Sequence, residues 1–298
     1  MNESKRHSIL GTLCATLGGV CWGFSGTCGQ YLFSRYHVSS LWLTCIRLLA
    51  AGILMTLLAV PRHRESFAAI WRHPKDVLQL VCFGIFGLLM CQYAYMTSIS
   101  YSNAATTTVL QTLSLVMIML LSCLRLRRWP NRVEHLALLL ALLGTFLLAT
   151  GGDPTHMVLP GKGLFWGLAT AVAVTVYTLL PQKLLTRWDR EVLTGLGMLI
   201  GGIAVNLCAR SWRFDVQLPI QGWLAVAAIV LLGTVVSFSL FMQGIQEVGP
   251  VRASMLAATE PLSATVFSAL WLGTSFSAAD LIGFAAITTT IFLLAKES

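Results

Sequence analysis

Apolar residues in this chain run in long unbroken stretches rather than in the short alternations of half-buried strands. Ten stretches can be marked, at 9–30, 39–60, 76–99, 103–122, 133–150, 163–184, 190–209, 222–246, 250–273 and 278–295. Each matches the ~17–25 residues a helix needs to cross a bilayer. Connections between them are short, and the longest, 61–75 and 210–221, are too small to form domains. Hydrocarbon offers backbone groups no water, so each stretch must satisfy its own hydrogen bonds as a helix. The pattern predicts an all-α, polytopic membrane protein with ten transmembrane helices. The stretch after the basic N-terminus is too long for the apolar core of a signal peptide and is expected to stay as the first helix.

One stretch breaks its own pattern. The segment 249–273 carries a lone carboxylate, Glu260, followed at once by Pro261. Ten residues at ~1.5 Å each place Glu260 roughly 15 Å deep, near the middle of a ~30 Å hydrocarbon core. An ionisable group at that depth faces a bundle interior or a wet cavity. Pro261 has no N–H to give to the carbonyl four residues back, so a helix break is expected there. Glu260 has two readings: it binds a substrate amine or carries a coupling proton, or it is a hydrogen-bonded carboxyl that fixes the break. Arg47, about nine residues into the second stretch, also has two. It pairs with Glu260 or a substrate carboxylate, or it snorkels towards the outer headgroups.

Composition supports the membrane class. Of the 298 residues, 56% are hydrophobic and 11% charged, against ~25% charged in soluble domains, and the mean hydropathy is +0.76. The net charge of +8 comes from clusters between apolar runs, which is an orientation signal rather than a nucleic-acid face. With the N-terminus inside, fifteen Lys and Arg fall on inner segments and four, Arg35, Lys162, Arg210 and Arg213, on outer ones. Both termini are therefore expected in the cytoplasm. The eight cysteines lie in or beside apolar runs without CxxC spacing and read as small buried hydrophobes, with no metal site and no disulfide framework. No nucleotide-binding or hydrolase motif is present, so neither enzyme nor cofactor is expected.

The chain also repeats itself. GQYLFSRYH at 29–37 matches PQKLLTRWD at 181–189, with Gln30/Gln182, Leu32/Leu184 and Arg35/Arg187 identical. At a nearby offset of 149, Gly84 pairs with Gly233, Ala104 with Ala253 and Gln111 with Glu260. Each half holds five helices, and an odd number forces the second half to insert upside down. Inverted halves that rock about a midplane site mark many secondary transporters. A transporter cavity needs a few polar groups on apolar walls. The candidates are Trp22 and Ser25 in the first helix, Gln92, Tyr93 and Tyr95 in the third, and Thr108 and Gln111 in the fourth. Tyr177 adds the sixth, and Phe238, Phe241, Met242 and Gln243 the eighth. Trp42, Trp71, Trp129, Trp223 and Trp271 lie near stretch ends and read as interface anchors. Glycines at small-xxx-small spacing, Gly18 to Gly26 and Gly197 with Gly201, are expected to bring helices close within the fold.

WGFSG at 22–26, RLLAAG at 47–52, SNAATTTVLQ at 102–111 and GPVRASMLAATEPLSA at 249–264 resemble EamA-type members of the drug/metabolite transporter superfamily. The resemblance covers nearly the whole chain. It implies two inverted repeats at 9–150 and 163–295 and a central cavity lined by helices 1, 3, 4, 6, 8 and 9. It also implies export of amino acids or related small metabolites across the inner membrane, with protons as one candidate coupling ion. The alternative class is a membrane-embedded receptor or scaffold, which needs neither a central polar site nor an inverted repeat.

Overall fold

The structure, a computed structural model, describes residues 3–295; the side chains of residues 3–8, 250, 251, 254 and 295 lie outside that description, as does Lys296 of the charge pattern. No strand occurs among the described residues. Nine helices among them are long and apolar enough to cross a bilayer, and one shorter apolar helix follows. In chain order they are α1 (Glu3–Tyr36), α2 (Ser40–Ala59), α3 (Pro74–Tyr101), α4 (Ala104–Arg125) and α5 (Arg132–Thr150). Then come α6 (Gly161–Leu185), α7 (Arg190–Ala209), α8 (Ile220–Val248), α9 (Pro250–Ala257 continued by Thr259–Leu272) and the shorter α10 (Ala278–Ala295).

Four of these helices are irregular in mid-course. α3 widens to π-helical turns over Phe83–Leu89, and α8 does so over Leu231–Val236. α4 consists of Ala104–Gln111 and Leu113–Arg125, separated by Thr112, and α9 is interrupted at Ala258. The expected break beside Pro261 is thus present, three residues upstream. Hydroxyls satisfy carbonyls at both interruptions: Thr112 Oγ1 donates to Val109 O at 2.7 Å and Thr259 Oγ1 to Leu256 O at 2.9 Å. The two eight-residue first pieces align at an offset of 146, not 149. With the first pieces so aligned, Gln111 falls opposite Ala257 and Ser114 opposite Glu260.

The helices pair in a regular scheme. α2 packs on α7, α5 on α10 and α4 on α9; α1 packs on α8 and α9, and α3 and α4 pack on α6. Exchanging each helix for the one five places later returns the same scheme. The α2–α7 seam is so close that a Cβ on Gly52 would meet Leu199 N at 2.5 Å and one on Gly202 would meet Leu49 N at 2.8 Å. The expected intramolecular use of small residues is met at Gly201, which lies on the Gly84 carbonyl of α3, and at Gly197, whose own carbonyl lies against Gly84. Buried clusters fill the interior: Leu48, Leu80 and Met198 in one, Leu32, Met96 and Ile229 in a second, Leu110, Ala171 and Ile287 in a third. Large apolar side chains also cover the outside, with Leu224 and Leu270 fully in view, as hydrocarbon solvent allows.

Polar contacts sit at the helix ends. Asn131 and Glu134 form a reciprocal cap at the start of α5, and Glu134 takes both Arg128 nitrogens at 2.6 and 2.7 Å. Four of the tryptophans read as anchors, Trp71, Trp129, Trp223 and Trp271, are exposed. Trp42 is not: it is buried, edge-on to Trp223 at 6.0 Å, because its face of α2 turns inward.

Candidate functional site

The mid-helix irregularities converge on one cavity of about 270 Å³. The broken α4 contributes Gln111, Thr112, Ser114 and Leu115, and the broken α9 contributes Ala257, Ala258, Glu260 and Pro261. α3 supplies Leu88 from its wide turns and Cys91, Gln92 and Tyr95 just beyond them; α6 adds Val174 and Tyr177. Trp22 of α1 closes one wall against Phe238 and Phe241 of α8, with ring centroids 5.3 and 5.2 Å apart. Arg47 from α2 and Ile291 from α10 complete it, two helices beyond the six the resemblance implied.

Arg47 is the cation of the site, and it does not snorkel. It is 4% exposed and spends two nitrogens on the wide turns of α8. Nε donates to Thr234 Oγ1 at 3.3 Å and Nη2 to Gly233 O at 3.2 Å. These contacts clasp a carbonyl in the stretch where α8 departs from regular i→i+4 bonding. The third nitrogen, Nη1, is buried with no partner among the described residues, and so is the Tyr95 hydroxyl. Glu260 lines the same cavity with its carboxylate in no hydrogen bond among the described residues, while its backbone carbonyl accepts from Ser263 at 2.9 Å. Arg47 and Glu260 act on each other electrostatically across the space, but no ion pair joins them. A buried donor left unpaired costs ~1–3 kcal/mol, so this arrangement favours a ligand that supplies the missing acceptor.

Several sequence candidates lie elsewhere. Ser25 is buried where α1 meets α8, its hydroxyl filling the space that a Cβ on Gly233 would occupy. Thr108 is buried and donates back to Ala105 O at 2.9 Å. Tyr93 stands edge-on to Trp166 at 5.3 Å on a different face of α3. Met242 and Gln243 line a separate, smaller cavity of about 180 Å³ with Arg62, Glu191 and Gln246, and Gln243 donates to Glu247 at 2.7 Å. Phe238 borders both spaces. Sequence reasoning missed Thr112 and Ser114, whose one signal is the break in α4, and Cys91 of α3, which carries none.

Gln30 ties the far end of α1 to two other elements. Its Oε1 accepts from Ala104 N at 2.9 Å, at the start of α4, and from Ser268 Oγ at 3.0 Å. Its Nε2 donates to Thr274 Oγ1 at 2.9 Å, just past the end of α9.

Apolar helices interrupted around a shared polar cavity define a multi-pass membrane protein built to hold a small solute. The profile of the EamA-like transporter family matches residues 9–150 and again 161–296. The inner membrane transporter YicL of Salmonella typhimurium is 36% identical over 99% of this chain and 97% of its own. The transporter YwfM of Bacillus subtilis is 25% identical over 92% of this chain and 90% of its own. A solved crystal structure superimposes with a TM-score of 0.64 at 20% identity, covering 95% of this chain and 94% of that one. The chain belongs to the EamA-like transporter family and is a membrane transporter of the drug/metabolite type.

Proposed function

We propose that this protein is a secondary transporter of the inner membrane that exports amino acids or closely related zwitterions by alternating access around the cavity of α1, α3, α4, α6, α8 and α9. The observation that carries this reading is the pair of opposite charges left apart: among the described residues Arg47 Nη1 has no acceptor and Glu260 no donor, and both face one cavity. A carboxylate on the Arg47 and Tyr95 side and an ammonium on the Glu260 side would satisfy both. The volume of about 270 Å³ lies just under the ~300–1,000 Å³ range of ligand pockets, which favours small metabolites over drug-sized molecules. Two inverted five-helix repeats, with α10 as the tenth crossing, are supported by the exchange symmetry of the helix pairing and by the paired breaks in α4 and α9. A cytoplasmic location of both termini is supported by the asymmetry of Lys and Arg.

Proteoliposome flux tests the reading. Wild-type protein should move radiolabelled amino acids, and an excess of unlabelled amino acid should compete. The deaminated carboxylic acid and the decarboxylated amine of the same side chain should compete poorly. Competition by both single-charge analogues as strong as by the zwitterion would overturn the assignment.

A further inference from the structure

A third concave space, sharing no lining residue with the central cavity, opens at the end of the bundle where α3 begins and α4 and α6 end. Its volume is about 570 Å³. Lys75, Arg125 and Lys183 stand around it, one from each helix, and no acidic side chain lines it. All three are exposed, and none makes a side-chain hydrogen bond or ion pair among the described residues. Basic residues nearby are engaged otherwise: Arg187 lies 3.7 Å from Asp76, and Arg128 grips Glu134. The walls are mostly apolar, made by Leu78, Cys82, Leu179 and Leu180 with Gln79 and Gln182 between them. From Lys75 to the deepest wall residue of α3, seven residues on, the space runs ~10 Å along the helix axis. The cations therefore stand at headgroup level and the leucines below them.

We propose that this cleft is a binding site for an anionic phospholipid, whose phosphate is held by Lys75, Arg125 and Lys183 and whose first acyl carbons lie on the leucines. Three separate helices converge on it, whereas an orientation signal needs only basic loops. A soluble phosphate would have no use for the apolar floor, and a zwitterionic lipid would bring a choline against three cations. Basic clefts between transmembrane helices suit anionic headgroups on these grounds.

The test uses the full-length protein in detergent, titrated with phosphatidylglycerol, phosphatidylcholine or glycerol phosphate and read by native mass spectrometry. Phosphatidylglycerol should bind roughly a hundredfold more tightly than phosphatidylcholine, the scale expected of three basic side chains at a bilayer surface. The Lys75→Gln/Arg125→Gln/Lys183→Gln variant should lose that preference. A control, Arg64→Gln/Arg72→Gln/Arg132→Gln, removes the same charge from exposed neighbouring positions and should keep it. Unchanged melting temperatures would show both variants folded. Equal loss in the two variants, or no lipid preference in the wild type, would overturn the site. Glycerol phosphate binding as tightly as the lipid would overturn the lipid assignment.

Discussion

At the residue scale, the reading stands on Glu260 and Arg47. Glu260→Gln keeps the size and one acceptor but cannot titrate or carry charge. It is expected to abolish gradient-driven accumulation in proteoliposomes while substrate exchange, which needs no proton cycle, survives. Glu260→Asp should retain part of the accumulation. Full driven transport by Glu260→Gln at normal expression and melting temperature would leave the carboxyl a structural role only. Arg47→Lys keeps a charge but loses the planar fork that holds Thr234 and Gly233 while leaving Nη1 for the cavity. A charge-assisted hydrogen bond is worth ~1.5–3 kcal/mol, so the transport KM should rise at least about tenfold, since ~1.4 kcal/mol is one factor of ten. An unchanged KM would remove Arg47 from the substrate contact. Both residues were legible in the sequence because charge is rare in apolar surroundings. Ser25, Tyr93 and Thr108 were not, because a residue's face is read by counting turns. The π-helical turns of α3 and the interruption of α4 shift that count, so Tyr93 and Thr108 point away from the cavity while Tyr95 and Thr112 reach it.

At the element scale, the long apolar runs carried the helices into view, and nearly all boundaries agree to within a few residues. The irregularities inside them left little trace. A π-helical turn has no compositional mark, and only the break beside Pro261 could be derived from backbone chemistry. Thr112 has no proline after it to mark the interruption of α4. The α2–α7 seam gives an element-level prediction. Gly52→Val places branched carbons against the Leu199 and Met198 backbone, which cannot yield as a side chain could. Overpacking of this kind costs ~1–3 kcal/mol, so the variant should melt several degrees lower in detergent micelles. Gly161→Ala, where a Cβ meets nothing within 4 Å, should melt as the wild type does. Equal melting of all three proteins would show that the seam opens freely.

At the scale of the whole molecule, orientation follows from charge placement. A reporter active only outside the cytoplasm, fused after Ser298, should give no signal, whereas one placed in the 151–160 connection should be active. A strong signal at the C-terminus would mean an odd number of crossings and would remove the inverted relation of the halves. Nine of the ten apolar runs are helices long and apolar enough to cross a bilayer among the described residues, and the tenth is a shorter apolar helix. The way they assemble was not legible in the sequence, because pairing depends on contacts such as Gly84 with Gly197 that are far apart in sequence and carry no local pattern.

Gln30 has a further consequence for the working cycle. One amide joins the start of α4 and the end of α9, while its sequence match, Gln182, is exposed and bonded to nothing among the described residues. The two ends of the molecule are therefore unequal in free energy. At ~0.5–1.5 kcal/mol per hydrogen bond, three bonds tilt the balance enough to leave the opposite conformer at roughly 0.1–10% of the population. In the proposed alternating-access cycle, transport would wait on that rarer conformer, and the lifetime of this small clasp would set an upper limit on turnover. Gln30→Leu should lengthen those excursions, seen as faster hydrogen–deuterium exchange over residues 268–276. Exchange as slow as in the wild type would mean that packing alone holds that end shut.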